Sequence, residues 1–206
     1  MAFLSEDTKK KAQSLIGQAL CMTRETFPDY WSESFKIAKS LGIPRNSRFP
    51  SFLQSDSSST RKAETFASVI NEYVPVQDDR GSWAGALRHV MWQADITTKH
   101  SADIAQKVGY CHEANYKPNP NQRFFSNLDD ADSTADLLNN EIGRANGTNY
   151  KYLTSEEQML RALWEAKTNG LFRVRKTPWG QYEVYRETMD DDTYRQHFNN
   201  VKRKFW

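Results

Sequence analysis

Cysteine, histidine and net charge are all scarce in this 206-residue chain, and long apolar runs are missing. The two cysteines, Cys21 and Cys111, form neither a CxxC pair nor a Cys/His spacing, which excludes a local zinc knuckle or a dithiol redox motif. Their apolar helical surroundings read as sites for buried small hydrophobes, with a Cys21–Cys111 disulfide as the alternative. No stretch approaches the roughly 18 consecutive apolar residues of a membrane span, so no spanning segment is expected and the chain reads as soluble. The start, Met1 to Asp7, turns acidic and then basic, without the charged-then-apolar order of a cleavable signal peptide. A formal net charge of +2 gives no overall pull on nucleic acid or anionic lipid. No HNH or PD-x-E/DxK-like constellation is present either. A nucleic-acid partner is therefore disfavoured, with only the basic groups at 173–176 and 202–204 arguing the other way.

What is present suffices for a core. Hydrophobic residues make up 38% of the chain and aromatic ones 13%, including six Trp, against 26% charged. One domain over 1–206 is expected, a helical core to about residue 170 followed by a hairpin and a terminal helix over 171–206. Periodicity of 3.6 predicts helices over 5–23, 31–41 and 60–73, with a loop over 44–60. Ser82 and Ser101 open two more, a further helix runs from about Asp129 to Ala145 and stops at Gly147, and Thr154-x-x-Glu157 is a capping box for one that ends at Gly170. From Leu171 the period falls to 2. Phe172 and Val174 alternate with Arg173 and Arg175, and Pro178-Trp179-Gly180 turns the chain into Tyr182 and Val184, an antiparallel hairpin over 171–187. Asp190 to Asp192 then open a last helix that carries Lys202, Arg203 and Lys204 at its end. The fold class is mainly α with one small antiparallel hairpin.

Three of the four histidines fall between Gly85 and Gly147. His89 shares a helix face with Trp92 and Gln93, and Arg88 shares another with Trp92 and Asp95. Ala102, Ala105 and Gly109 make a slim face on the next helix, one turn before His112-Glu113. Asp132, Asp136, Asn139 or Asn140, and Gly143 lie along one stripe of a third. Two adjacent Asn followed by Gly in mid-helix cost about 1–2 kcal/mol against Ala, so a compensating role is expected. Candidate catalytic residues are His89, His112, Glu113 and Asp136: the imidazoles as general bases or metal ligands, Glu113 to orient them, Asp136 to bind substrate or metal. Candidate substrate-binding residues are Arg88, Trp92, Asn139 and Asn140, with Arg88 able to neutralise a phosphate. A divalent metal is a possible cofactor, although no HExxH or cysteine pair marks it.

Gly85-Ala-Leu-Arg88-His89-Val-Met-Trp92, His112-Glu113 and Asp136-Leu-Leu-Asn139-Asn140-Glu-Ile-Gly143 resemble a bacterial domain found at the C-terminal ends of Rhs-type and other polymorphic toxins. Its members carry a similar Arg-His-x-x-Trp helix, a His-Glu pair and an Asp-x-x-Asn-Asn-x-x-Gly segment. They often have His just before the Asn pair, where this chain has Leu138. The resemblance implies an antibacterial effector toxin used in competition between bacteria. It would be carried by a larger delivery protein or secretion apparatus, reach its target cell without a cleavable signal, and be restrained by a cognate immunity protein.

With the residue reading, this gives a hydrolase acting on a phosphoester-containing substrate: a lipid, a wall precursor or a nucleotide. The alternatives are a non-enzymatic interaction protein, whose polar cluster is structural and whose ribbon of Trp179, Arg173, Arg175 and Lys176 meets a partner, and a nuclease toxin.

Overall fold

Helix starts in this chain are set by short polar side chains. The computed structural model describes residues 59–70, 80–113 and 116–206, with α1 at Ser59–Ile70, α2 at Trp83–Lys99 and α3 at Ala102–His112. Ser82 Oγ accepts from the Gly85 amide and Ser101 Oγ from the Ile104 amide, each satisfying a donor that a helix start leaves open. The helices expected over 5–23 and 31–41 and the loop over 44–58 lie outside the described residues.

Helix α4 spans Leu128–Asn149 and is capped by Asn127; α5 spans Ser155–Thr168 with both bonds of the Thr154/Glu157 capping box in place; α6 spans Asp191–Phe205 behind Asp190. Gly147 does not stop α4, contrary to the sequence expectation. A Cβ at Gly147 would lie 2.5 Å from the Ala94 carbonyl oxygen, and one at Gly143 would lie 2.4 Å from that of Val90. These glycines bring the α4 backbone against α2, and that close packing offsets their poor helix propensity.

Helix α2 is the centre of the molecule, with 13 of its 17 residues buried. Leu87, Val90, Met91 and Ile96 pack with Phe66 and Ile70 of α1, Val108 of α3, Met159 and Leu163 of α5 and Val201 of α6 in one apolar cluster. A second cluster, Phe125, Ala131, Ala135 and Val184, seats α4 on a small sheet. The expected hairpin is there as β2 (Leu171–Lys176) and β3 (Tyr182–Glu187). A third strand, β1 (Phe124–Phe125), pairs antiparallel with the other edge of β3, giving the order β1-β3-β2. Two residues are too short to show any alternation, so β1 was invisible to periodicity. The fold is mainly α, as expected.

Gly81 ties these layers together just before α2. Its φ of +67° is open to glycine at little cost, and a Cβ there would sit 2.8 Å from that of Val174. Its amide donates to Asp132 Oδ1 at 2.7 Å and its carbonyl accepts from Arg173 Nε at 3.3 Å. Among the described residues no helix is long and apolar enough to cross a membrane.

Candidate functional site

Small side chains let three helices converge. A Cβ on Gly109 would fall 2.9 Å from Asn140 Nδ2 and 3.2 Å from Gln93 Nε2, so glycine is what lets α3 lie against α2 and α4 together. The last turn of α3 then delivers His112, with Glu113 as its C-cap, beside Arg88 and His89 of α2 and the acidic stripe of α4. Between them opens a cavity of about 170 Å³ lined by Arg80, Arg88, His112, Glu113, Tyr116, Asp129, Asp132, Ser133 and Asp136.

His89 forms the floor behind that cavity and is 1% exposed. Its Nδ1 donates to Asn140 Oδ1 at 2.9 Å, and its Nε2 lies 3.1 Å from Asp136 Oδ2. A ring between an amide oxygen and a carboxylate is favoured with protons on both nitrogens. Burial works against the charged ring, yet the negative charge of Asp136 outweighs it and raises the His89 pKa. Burial would likewise raise Asp136, but the charge of His89 and then of Arg88 brings it below the usual carboxylate range. The two shifts together favour the imidazolium–carboxylate form of the pair.

The remaining acids move the other way. Burial, and then the charge of Asp136, pushes Glu113 up to about 7, although a Ser133 hydrogen bond and the charge of His89 pull partly against this. The same two causes push Asp132 up to about 8. Burial, and then the positive charges of His89 and Arg88, bring His112 down to about 3, so its imidazole is neutral. Its Nε2 is 3.8 Å from Glu113 Oε1. Trp92 packs edge-on against both imidazoles, with ring centroids 5.9 Å from His89 and 5.2 Å from His112. His89, His112 and Glu113 each offer one ligand atom within 4.8 Å of the others.

Of the residues singled out in the sequence, Arg88, His112, Glu113 and Asp136 line the cavity. His89, Trp92 and Asn140 stand behind it and hold the liners in place. Asn139 is directed elsewhere: its side chain accepts from the Phe172 amide at 2.9 Å and donates to the Phe172 carbonyl at 2.8 Å, fixing β2 to α4. Asp95 accepts from Lys99 Nζ at 2.5 Å and from Ser155 Oγ at 2.7 Å, tying α2 to α5. Sequence reasoning put Asp132 on the stripe with Asp136 without giving it a role, and missed Asp129 and Ser133 as wall residues. The signal for these two was their place seven and three residues before Asp136, on its own helix face. Nothing local to Arg80 or Tyr116 could have marked them.

The ribbon spends its charges internally. Arg173 pairs with Glu187 at 2.6 Å and stacks on Trp83, while Arg175 pairs with Glu183 at 2.7 Å and stacks on Tyr185. Arg123 also pairs with Glu183. Trp179 at the turn is exposed. Cys111, buried beside the site, is disulfide-bonded rather than a lone small hydrophobe. The sequence has one other cysteine, Cys21, which lies outside the described residues.

No curated protein and no solved structure matches the chain. A family model does, over residues 50–170, and that stretch takes in α1 to α5 and every wall of the cavity. The chain belongs to the family described as a domain of unknown function, DUF6973.

Proposed function

We propose that the chain is a hydrolase acting on a phosphoester-containing substrate, a lipid, a wall precursor or a nucleotide, and that it serves as an antibacterial effector. The observation that carries the hydrolytic reading is the convergence of Arg88, His112, Glu113 and Asp136 from three helices on one open cavity. Arg88 supplies a guanidinium for a phosphoryl oxygen. Glu113, brought to about 7, is matched to proton transfer at neutral pH and is the general acid–base. The neutral His112 beside it can pass a proton to or from Glu113. His89 is held through Nδ1 by Asn140 and lies beside Asp136, behind the cavity, so its role shifts from general base to positioning Asp136.

The likeness of residues 85–144 to toxin C-terminal domains supports the effector setting, with a delivery protein and a cognate immunity protein as partners. The disulfide at Cys111 suits action in an oxidising compartment of the target cell.

Purified protein should release phosphate or alcohol from a panel of phosphomonoesters and phosphodiesters. Glu113→Gln should lower kcat by about 10²–10⁴-fold with unchanged circular dichroism. Expression with an export signal should slow bacterial growth more than cytoplasmic expression. A wild type harmless in both compartments would remove the effector role, and a Glu113→Gln variant as active as wild type would remove the assigned site.

A further inference from the structure

The geometry points to a divalent transition-metal site of the zinc type at the floor of the cavity, with His89 Nε2, His112 and Glu113 as ligands. The inference deepens the hydrolase reading, on which any catalytic use of the ion rests, and in the loaded site Glu113 would be a ligand rather than the acid–base; binding itself can be read without turnover. Three donors from two helices lie within 4.8 Å of one another. Ligands of a tetrahedral ion at about 2.0–2.1 Å stand roughly 3.4 Å apart, so the widest pair must close by up to about 1.4 Å. The adjustment falls to His112, whose side chain is 37% exposed at the end of α3, because His89 is buried and held by Asn140.

Independent observations point the same way. His89 Nε2 stands 3.1 Å from Asp136 Oδ2, in ion-pair range but without a well-directed hydrogen bond. The buried Nε2 is thus poised for a further partner. On the opposite side, Nδ1–H donates to the Asn140 amide oxygen, the outer contact that a metal-binding imidazole ordinarily makes to fix its tautomer and aim its free nitrogen. Charge agrees. Glu113, Asp129, Asp132 and Asp136 face Arg80 and Arg88 around the cavity, four carboxyl groups to two guanidinium groups, a setting that suits a dication. Two imidazoles and one carboxylate favour Zn²⁺, with Co²⁺ as a spectroscopic stand-in, over Mg²⁺ or Ca²⁺, which prefer all-oxygen sets, and they leave one position open.

The test is titration of the chelator-treated full chain with Zn²⁺ by calorimetry, and with Co²⁺ by visible absorption. One ion per chain is expected, with the Co²⁺ spectrum of a four-coordinate site. His112→Ala and Glu113→Gln should each weaken binding by at least about tenfold. His197→Ala, on α6 and away from the cavity, should leave it unchanged. No binding by the folded wild type overturns the inference, as does equal binding by both site variants, which would mark an adventitious ion. Because His112 is partly exposed, its variant should keep the wild-type dichroism; if not, His112→Gln carries the comparison. Stoichiometric Zn²⁺ binding without phosphoester turnover would sink the hydrolase reading and leave the metal site standing. Turnover by a chain that binds no Zn²⁺ would do the reverse.

Discussion

Asp136 decides the charge of His89. Its carboxylate is the main influence opposing the burial that would otherwise strip the proton from the ring. In Asp136→Asn the His89 pKa should drop below its ordinary value of 6.5, visible by NMR titration of the ring. The variant should also lose about 3–5 kcal/mol at neutral pH, because one member of a buried pair is left alone. An unmoved His89 titration would show that the two do not couple. Asp132 predicts the opposite sign. Its folded pKa of about 8 lies above the unfolded 3.8, so the folded chain holds a proton that the unfolded chain releases, and stability falls as pH climbs from about 4 to about 8. Asp132→Asn keeps an oxygen for the Gly81 amide and has no proton to lose. It should leave stability unchanged below pH 4 and raise it by roughly 1–3 kcal/mol at pH 8, read from denaturant midpoints. That these polar residues are gathered together was largely legible, because polar choices on apolar helices stand out. Which way each one faced was not. Asn139 and Asn140 are neighbours in sequence but roughly 100° apart on the helix, so one reaches His89 and the other reaches β2.

The α2–α4 contact holds the site together, and it depends on glycine rather than on large apolar side chains. Gly143→Ala would push a methyl to 2.4 Å from the Val90 carbonyl oxygen and 2.8 Å from Gln93 Cβ, and the first of these neighbours is backbone that cannot swing aside. The helices must separate, at a cost of about 2–4 kcal/mol measured by urea unfolding. The gap opens one turn from Asn140, so Glu113-dependent activity should fall as well. A Gly143→Ala variant as stable as wild type would mean that α2 and α4 do not approach so closely. Elements were legible where their signals are local: the caps at Ser82, Ser101, Thr154 and Asp190 and the period change at Leu171 all sit within a turn of the structure they specify. Gly147 was misread because a glycine that ends a helix and one that lets a neighbour approach look alike along the chain. The difference lies in Ala94, more than fifty residues earlier.

At the scale of the molecule, the weakest-held wall of the cavity is α3. It buries only Ala105, Val108, Gly109 and Cys111, of which one is a sizeable apolar side chain, whereas α2 and α4 share a long contact. The disulfide at Cys111 anchors the helix one residue before His112, and so substitutes covalently for the apolar area that α3 lacks. Unreduced protein should show no titratable thiol under denaturing conditions, and two after reduction. Reduction should lower stability by about 2–4 kcal/mol, a fall in Tm of roughly 5–15 °C for a chain of this size. The site should suffer before the core does. Under mild reduction, well below the new Tm, far-UV dichroism should stay close to native while turnover and Zn²⁺ affinity both decline, because His112 and Glu113 lose their position before α2 loses its neighbours. If the reduced protein keeps full activity and an unchanged Tm, α3 is held by its packing alone, and the dependence of the site on an oxidising compartment falls with it.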